Sequence, residues 1–175
     1  MTIPAGETRG GPLAVLAGVL ITVLGEGVRL WAVHHIGVIS RTRSERLGPL
    51  VASGPFAIVR NPLYLGNIAL WAGVALAARL MWLAPLIVVL LGLEYHAIVR
   101  WEEGLLESRL GDAYRNYAAR VPRWIPHLHH GGHSGHGGKD VQVESFTWNE
   151  TLFSERGTLV AIAAGFFLLW LKARS

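Results

Sequence analysis

Four apolar runs punctuate the chain. The first, residues 13–31, is about as long as a helix needs to be to cross a hydrocarbon core of about 30 Å, although Gly25, Glu26, Gly27 and Arg29 interrupt its end. Residues 62–78 and 82–100 form two more runs, joined by a short link that holds Arg79, and together they predict a helical hairpin. The first arm of the hairpin is barely long enough to cross alone. Its Gly66 and Gly73 permit the close helix approach that such a segment needs. Residues 158–171, flanked by Glu155-Arg156 and by Lys172 and Arg174, predict a fourth and rather short membrane helix. Polar stretches lie between the runs. Residues 34–60 contain Arg41, Arg43, Glu45 and Arg46 and the helix-breaking pairs Gly48-Pro49 and Gly54-Pro55. After Trp101 the third helix leaves the apolar layer, and an amphipathic stretch follows that stops at Pro122 and Pro126. Residues 127–138 are histidine- and glycine-rich and read as a flexible linker, because ordering so much glycine is entropically expensive. Residues 1–11 lack the basic and apolar pattern of a cleaved signal peptide.

Composition strengthens the membrane reading. Of 175 residues 51% are hydrophobic and only 16% charged, and the mean hydropathy is +0.37, which is too apolar for an ordinary soluble domain. The net charge of +4 does not point to nucleic acid, since the arginines flank apolar segments instead of forming a patch on a soluble fold. Absence of cysteine removes disulfides, thiolate metal sites and cysteine nucleophiles together. Lysine and arginine number eleven in residues 34–61 and 100–156, against four in the termini and the hairpin link. The positive-inside rule therefore predicts that both polar stretches face the cytoplasm, with both termini outside.

The candidate chemistry sits where those stretches meet the membrane. Arg60 directly precedes Asn61-Pro62, and proline at a first helical position marks a helix start whose free N–H groups and dipole favour an anion. On the third helix His96, Arg100 and Glu103 recur at i, i+4 and i+7 as one polar stripe, with Tyr95 and Glu102 on a neighbouring one. Arg100 and Glu103 can pair with each other at the interface, and Glu26 and Arg29, three apart, can do likewise as a snorkelling pair. Tyr64 can equally serve as a packing aromatic. Cations at one helix start and carboxylates at another helix end suit a zwitterionic, amino-acid-like ligand. The histidines of 127–136 can ligate a transition metal, but glycine-rich flexibility and the absence of local carboxylates favour a solvated loop.

At these residues the chain resembles the isoprenylcysteine carboxyl methyltransferase and phospholipid methyltransferase superfamily of integral membrane enzymes. The matching positions are Gly54, Phe56, Arg60-Asn61-Pro62, Tyr64 and Gly66, then Glu102-Glu103 and Leu106, then Gly111, Tyr114, Tyr117, Val121-Pro122 and Ile125-Pro126. A weaker beginning is Gly25-Glu26, Arg29 and Trp31-Ala32. The resemblance implies S-adenosylmethionine as cofactor, contacted by Pro49, Leu50, Val51, Phe56, Asn61, Pro62, Leu63, Tyr64 and Glu102, with Arg60 and Glu103 alongside. Arg100 and Glu103, from the polar stripe of the third helix, are the candidate catalytic residues, and no metal site is expected. Asn61 stands where the eukaryotic isoprenylcysteine enzymes have histidine, and Ile98 where they have a substrate-side arginine, so the resemblance does not single out isoprenylcysteine as the substrate. Methyl transfer would be an in-line displacement; a carboxylate acceptor needs no base, whereas a thiol or amine needs one, for which Glu103 or His96 is available. The expectation is an all-α integral membrane bundle of about four transmembrane helices with a cytoplasmic-face cofactor pocket. It comprises a methyltransferase core over 1–126, a linker over 127–145 and a C-terminal segment over 146–175. Its partners would be membrane lipids and a lipophilic acceptor (an isoprenylcysteine-like carboxylate, a lipid amine or a small thiol), not nucleic acid. The alternative is a non-enzymatic membrane protein with a metal-binding histidine loop.

Overall fold

The computed structural model describes residues 11–37, 50–126 and 145–174, and among them all regular structure is helical. The five α-helices are α1 (Pro12–Ile36), α2 (Pro62–Ala77), α3 (Leu83–Leu110), α4 (Asp112–Arg120) and α5 (Trp148–Arg174), with a single 3-10 turn at Gly54–Ala57 before α2. Three of them are long and apolar enough to cross a membrane: α1, α3 and, within α5, Trp148–Lys172. The second is apolar but has only 16 residues, about 24 Å of helix, against a hydrocarbon core of about 30 Å. The histidine-rich linker, Pro49, and the arginines at 41, 43 and 46 lie outside the described residues.

Two boundaries differ from the sequence expectation. The third helix leaves the apolar layer as expected, running unbroken through Glu102, Glu103 and Glu107, but it stops at Leu110 instead of at the prolines beyond. Glutamate, leucine and arginine are good helix formers, so the change in polarity marks an exit from lipid and not an end of helix. Gly111 supplies the stop, at a φ of +54° that other residues rarely adopt. The fifth helix begins at Trp148, ten residues before the apolar run of 158–171, so it is long instead of short. A reciprocal cap nucleates it: the Thr147 N–H donates to Glu150 Oε2 at 2.8 Å, and the Glu150 N–H to Thr147 Oγ1 at 3.3 Å.

The seam between α1 and α2 is antiparallel and built on glycine. Gly18 lies against Gly73 and Ala77, and Gly25 against Gly66 and Leu70. A Cβ on Gly73 would stand 2.6 Å from the Thr22 backbone nitrogen and 2.7 Å from the Gly18 carbonyl oxygen, so the two backbones are in direct contact. Thr22 donates its hydroxyl to Gly18 O at 2.9 Å and is fully buried in the seam. The turn from α2 to α3 holds Arg79 at a φ of 63°.

The fifth helix returns antiparallel along the flank of α1. The Phe146 N–H donates to His34 O at 3.0 Å, and the His34 ring stacks on Trp148 at 4.3 Å. Two turns deeper, Arg29 bonds Glu26 at 3.1 Å and also reaches Asn67 of α2 and Glu155 of α5. Glu26 and Arg29 thus form the pair their spacing allowed, but buried between three helices and not snorkelling outward. One end of the bundle consequently gathers the end of α1, the start of α2, the polar half of α3, all of α4 and the start of α5.

Candidate active site

The approach to α2 is built to fit under α1 and α4. Gly54 has a φ of +57°, and a Cβ there would collide with the His35 ring, so glycine is required twice over. Pro55 and Phe56 are buried in the 3-10 turn. The Phe56 carbonyl accepts the Tyr117 hydroxyl at 2.8 Å. Two further bonds tie this segment to the chain after α4: the Arg60 N–H donates to Pro122 O at 2.9 Å, and Asn61 Nδ2 to Arg123 O at 3.2 Å. Beneath them Tyr114, Tyr117 and Val121 form an apolar cluster against which Leu50, Leu106 and Leu110 pack. Burial raises the hydroxyl pKa of Tyr114 and of Tyr117, so both are held as neutral phenols.

Glu102 and Glu103 are adjacent on α3 and therefore point to different sides, and each meets a different partner. Glu102 Oε1 accepts the Tyr64 hydroxyl at 3.0 Å, and the Tyr64 ring stacks on Tyr95 at 4.6 Å. Glu103 is gripped by two arginines: Arg60 Nη1 at 3.1 Å, and Arg123 through Nη2 at 2.6 Å and Nε at 3.0 Å. That hydrogen bond holds the Arg123 guanidinium above its ordinary pKa. Arg60 Nη1 also reaches the Tyr114 hydroxyl at 3.4 Å, while Arg60 Nε is buried with no protein partner.

The Arg60–Tyr64 segment and the Glu102-Glu103 pair therefore meet directly, through Tyr64–Glu102 and Arg60–Glu103. Beside them opens a cleft of about 540 Å³ between the polar half of α3 and α4, lined by both members of the latter pair and by Arg100, Glu107, Arg115 and Arg123. Arg100 and Glu103 share this cleft but not an ion pair, because Glu103 is taken by Arg60 and Arg123. His96 lies elsewhere, its ring 6.4 Å from that of Trp124. Pro62 is fully buried at the start of α2; Leu50, Val51 and Leu63 are half-buried. Arg123 is the polar residue that motif reading passes over. Its place between Val121-Pro122 and Ile125-Pro126 was the available signal.

A family model described as phospholipid methyltransferase matches residues 13–113, from α1 to the first turn of α4. The chain belongs to the phospholipid methyltransferase family. Among similar proteins, the cobalt-zinc-cadmium resistance protein CzcN of Cupriavidus metallidurans is 28% identical over 138 residues, covering 79% of this chain and 60% of that one. The nickel-cobalt-cadmium resistance protein NccN of Alcaligenes xylosoxydans xylosoxydans is 32% identical over 113 residues, covering 65% of this chain and 48% of that one. This family member thus spans between about half and three-fifths of the length of those relatives. No solved structure shows significant similarity to it.

Proposed function

We propose that this family member is an S-adenosylmethionine-dependent methyltransferase acting on a lipophilic or membrane-delivered acceptor, with its site at the cytoplasmic end of a bundle in which the short α2 makes the fourth crossing. The observation that carries this reading is the bonded convergence of Arg60, Asn61 and Tyr64 with Glu102 and Glu103. The residues present fit the cofactor. Glu102, beside the stacked faces of Tyr64 and Tyr95, offers a carboxylate and π-surface to a sulfonium cation. The Arg60 side chain, which lines the cleft, and the start of α2 offer donors to a carboxylate.

When bound, S-adenosylmethionine supplies an electrophilic methyl group on a sulfonium. This chain's own residues bind and orient. Glu103, with arginine on both oxygens, is a positioning residue that fixes Arg60 and Arg123 and leaves no free lone pair face for a general base. A second, apolar groove of about 400 Å³ is lined by α1, the 3-10 turn and α2, walled by Val28, Trp31, Ile58, Leu65 and Pro126, and suits hydrocarbon. That groove supports a lipophilic acceptor; carboxylate, amine and thiol head groups all remain compatible with the site. Isothermal titration of the protein with S-adenosylhomocysteine tests the reading. Saturable binding that Glu102→Ala weakens at least about tenfold is expected, as for loss of a charge-assisted contact; unchanged binding in that variant refutes it.

The names of the two metal-resistance relatives favour a second reading, a non-enzymatic membrane protein that handles metal through residues 127–138. Deleting those residues separates the two. Loss of metal binding in a protein whose wild type does not bind S-adenosylhomocysteine supports this second reading.

A further inference from the structure

Two ionisable side chains stand on outward faces of the bundle, at a depth where hydrocarbon gives them nothing to bond. Glu94 lies in α3, about 9 Å along the axis from Arg100, where the helix reaches the polar layer, and about 17 Å from the helix start at Leu83. It is exposed, with no hydrogen-bond or ion-pair partner among the described residues. Leu90, Ala97 and Trp101, at i−4, i+3 and i+7, share its face and are exposed as well. Tyr95 and Glu102 turn to Tyr64 of α2, so the face that carries Glu94 points away from α2. An ionisable group among lipid tails is strongly unfavourable without a partner, and glutamate lacks the long stem with which arginine and lysine reach the interface.

The second group is Arg156 of α5. Its neighbour Glu155 turns inward to Arg29, and Arg156 consequently turns outward among Leu152, Phe153 and Val160, all exposed. Its guanidinium folds back over the Phe153 ring and Nη1 donates to the Phe153 carbonyl at 3.1 Å, while Nε and Nη2 have no partner among the described residues. The two groups lie at about the same depth. Arg29 ties Glu155 to Asn67 of α2, and Tyr64, one turn away on α2, stacks on Tyr95. Glu94 and Arg156 therefore each adjoin, in the chain, a residue of one layer across the bundle. Within one chain they do not pair, since α3 packs on α2 and α5 on α1.

We propose that these two faces are the halves of an interface between copies of this chain, in which Glu94 of one copy pairs with Arg156 of another. A second copy is the occupant that the charges select. Each copy offers one acid and one base at matching depth, so the same molecule supplies what Glu94 lacks and what Arg156 lacks. Gly157, open where a Cβ would stand, admits a helix close beside Arg156. Neither residue lines the cleft between α3 and α4, so the inference does not depend on the methyl-transfer reading.

Sedimentation equilibrium of the full chain in density-matched micelles, over a range of protein-to-detergent ratios, tests it. The wild type is expected to associate as the ratio rises. Glu94→Arg leaves a copy basic at both positions, and Arg156→Glu leaves one acidic at both, so each variant alone should associate about tenfold or more weakly. An equimolar mixture of the two variants should associate as the wild type does, because every pair between unlike copies is again an acid with a base. That recovery also shows that both variants fold. Glu94→Gln, which keeps the size and removes the charge, should weaken association in the same direction. A wild type that remains a single copy at every ratio overturns the proposal, as do variants that associate like the wild type or a mixture that stays dissociated.

Discussion

Replacing Glu103 should unlock the site without touching the α1–α2 seam. Its carboxylate joins three separate pieces of chain: α3 itself, Arg60 ahead of α2, and Arg123 after α4. Side-chain exposure is 12% for Glu103, 14% for Arg60 and 33% for Arg123, so the cluster is neither at the surface nor fully enclosed. Removing one partner of a buried ion pair costs about 3–5 kcal/mol, whereas exposed pairs are worth about 0–1 kcal/mol. The intermediate burial places Glu103→Gln at about 2–3 kcal/mol, most of it from leaving Arg60 uncompensated. Reversible unfolding in mixed micelles, followed by tryptophan fluorescence, measures this directly. A cycle with Arg123→Gln should then show a coupling of about 1–2 kcal/mol between the two residues. Asp112→Asn is the internal control: its pair with Arg115 is open to solvent and its loss should leave the midpoint unchanged. If Glu103→Gln behaves like that control, or if the cycle shows no coupling, Glu103 does not hold the site together.

Other substitutions probe the scaffold. Gly73→Leu forces apart backbones that touch at Thr22 and Gly18, so thermal unfolding should shift down by an amount equivalent to about 2 kcal/mol or more; a tolerated leucine would mean that the seam is loose. Arg29→Gln leaves Glu26 and Glu155 facing one another between α1 and α5 and should destabilise by about 3 kcal/mol; lysine should rescue poorly because it lacks the fork, and full rescue would reduce Arg29 to a point charge. Tyr117→Phe deletes the bond to the Phe56 carbonyl and should cost about 1–2 kcal/mol in the same unfolding assay, with no change indicating that water replaces it. Tyr114 and Tyr117 have folded-state pKa values raised by burial, so the folded chain keeps protons that the unfolded chain releases above about pH 10. Stability should hold below that pH and fall as pH rises through it, and replacing both by phenylalanine should flatten the fall.

The parts of the architecture that depend on length, apolarity and glycine spacing were legible in the sequence. The hairpin of α2 and α3 falls where its apolar runs lie, and Gly66 and Gly73 do permit the close approach expected of them. Helix ends governed by polar residues were not legible. The first ten residues of α5 are polar enough to resemble a loop and are helical behind a Thr147–Glu150 cap, and α3 stops at a single glycine, Gly111, inside a stretch that keeps its amphipathic character. The meeting of Arg60 with Glu103 follows from motif order. The division of labour inside the acidic pair does not, since Glu102 and Glu103 are equivalent as letters and differ only by the side of α3 each occupies. Arg123 and Glu155 owe their partners to where a later helix returns, after Gly111 in one case and beyond residue 144 in the other. Contacts across such sequence distances carry no local periodic signal.

The central claim, that the Arg60–Tyr64 segment and the Glu102-Glu103 pair serve methyl transfer, is tested most directly by incubating the purified protein with tritiated methyl donor and a total membrane lipid extract. Label is expected in an organic-extractable product and is lost in Glu102→Ala at unchanged protein stability. Label absent from every fraction, or transferred equally well by Glu102→Ala, would contradict it.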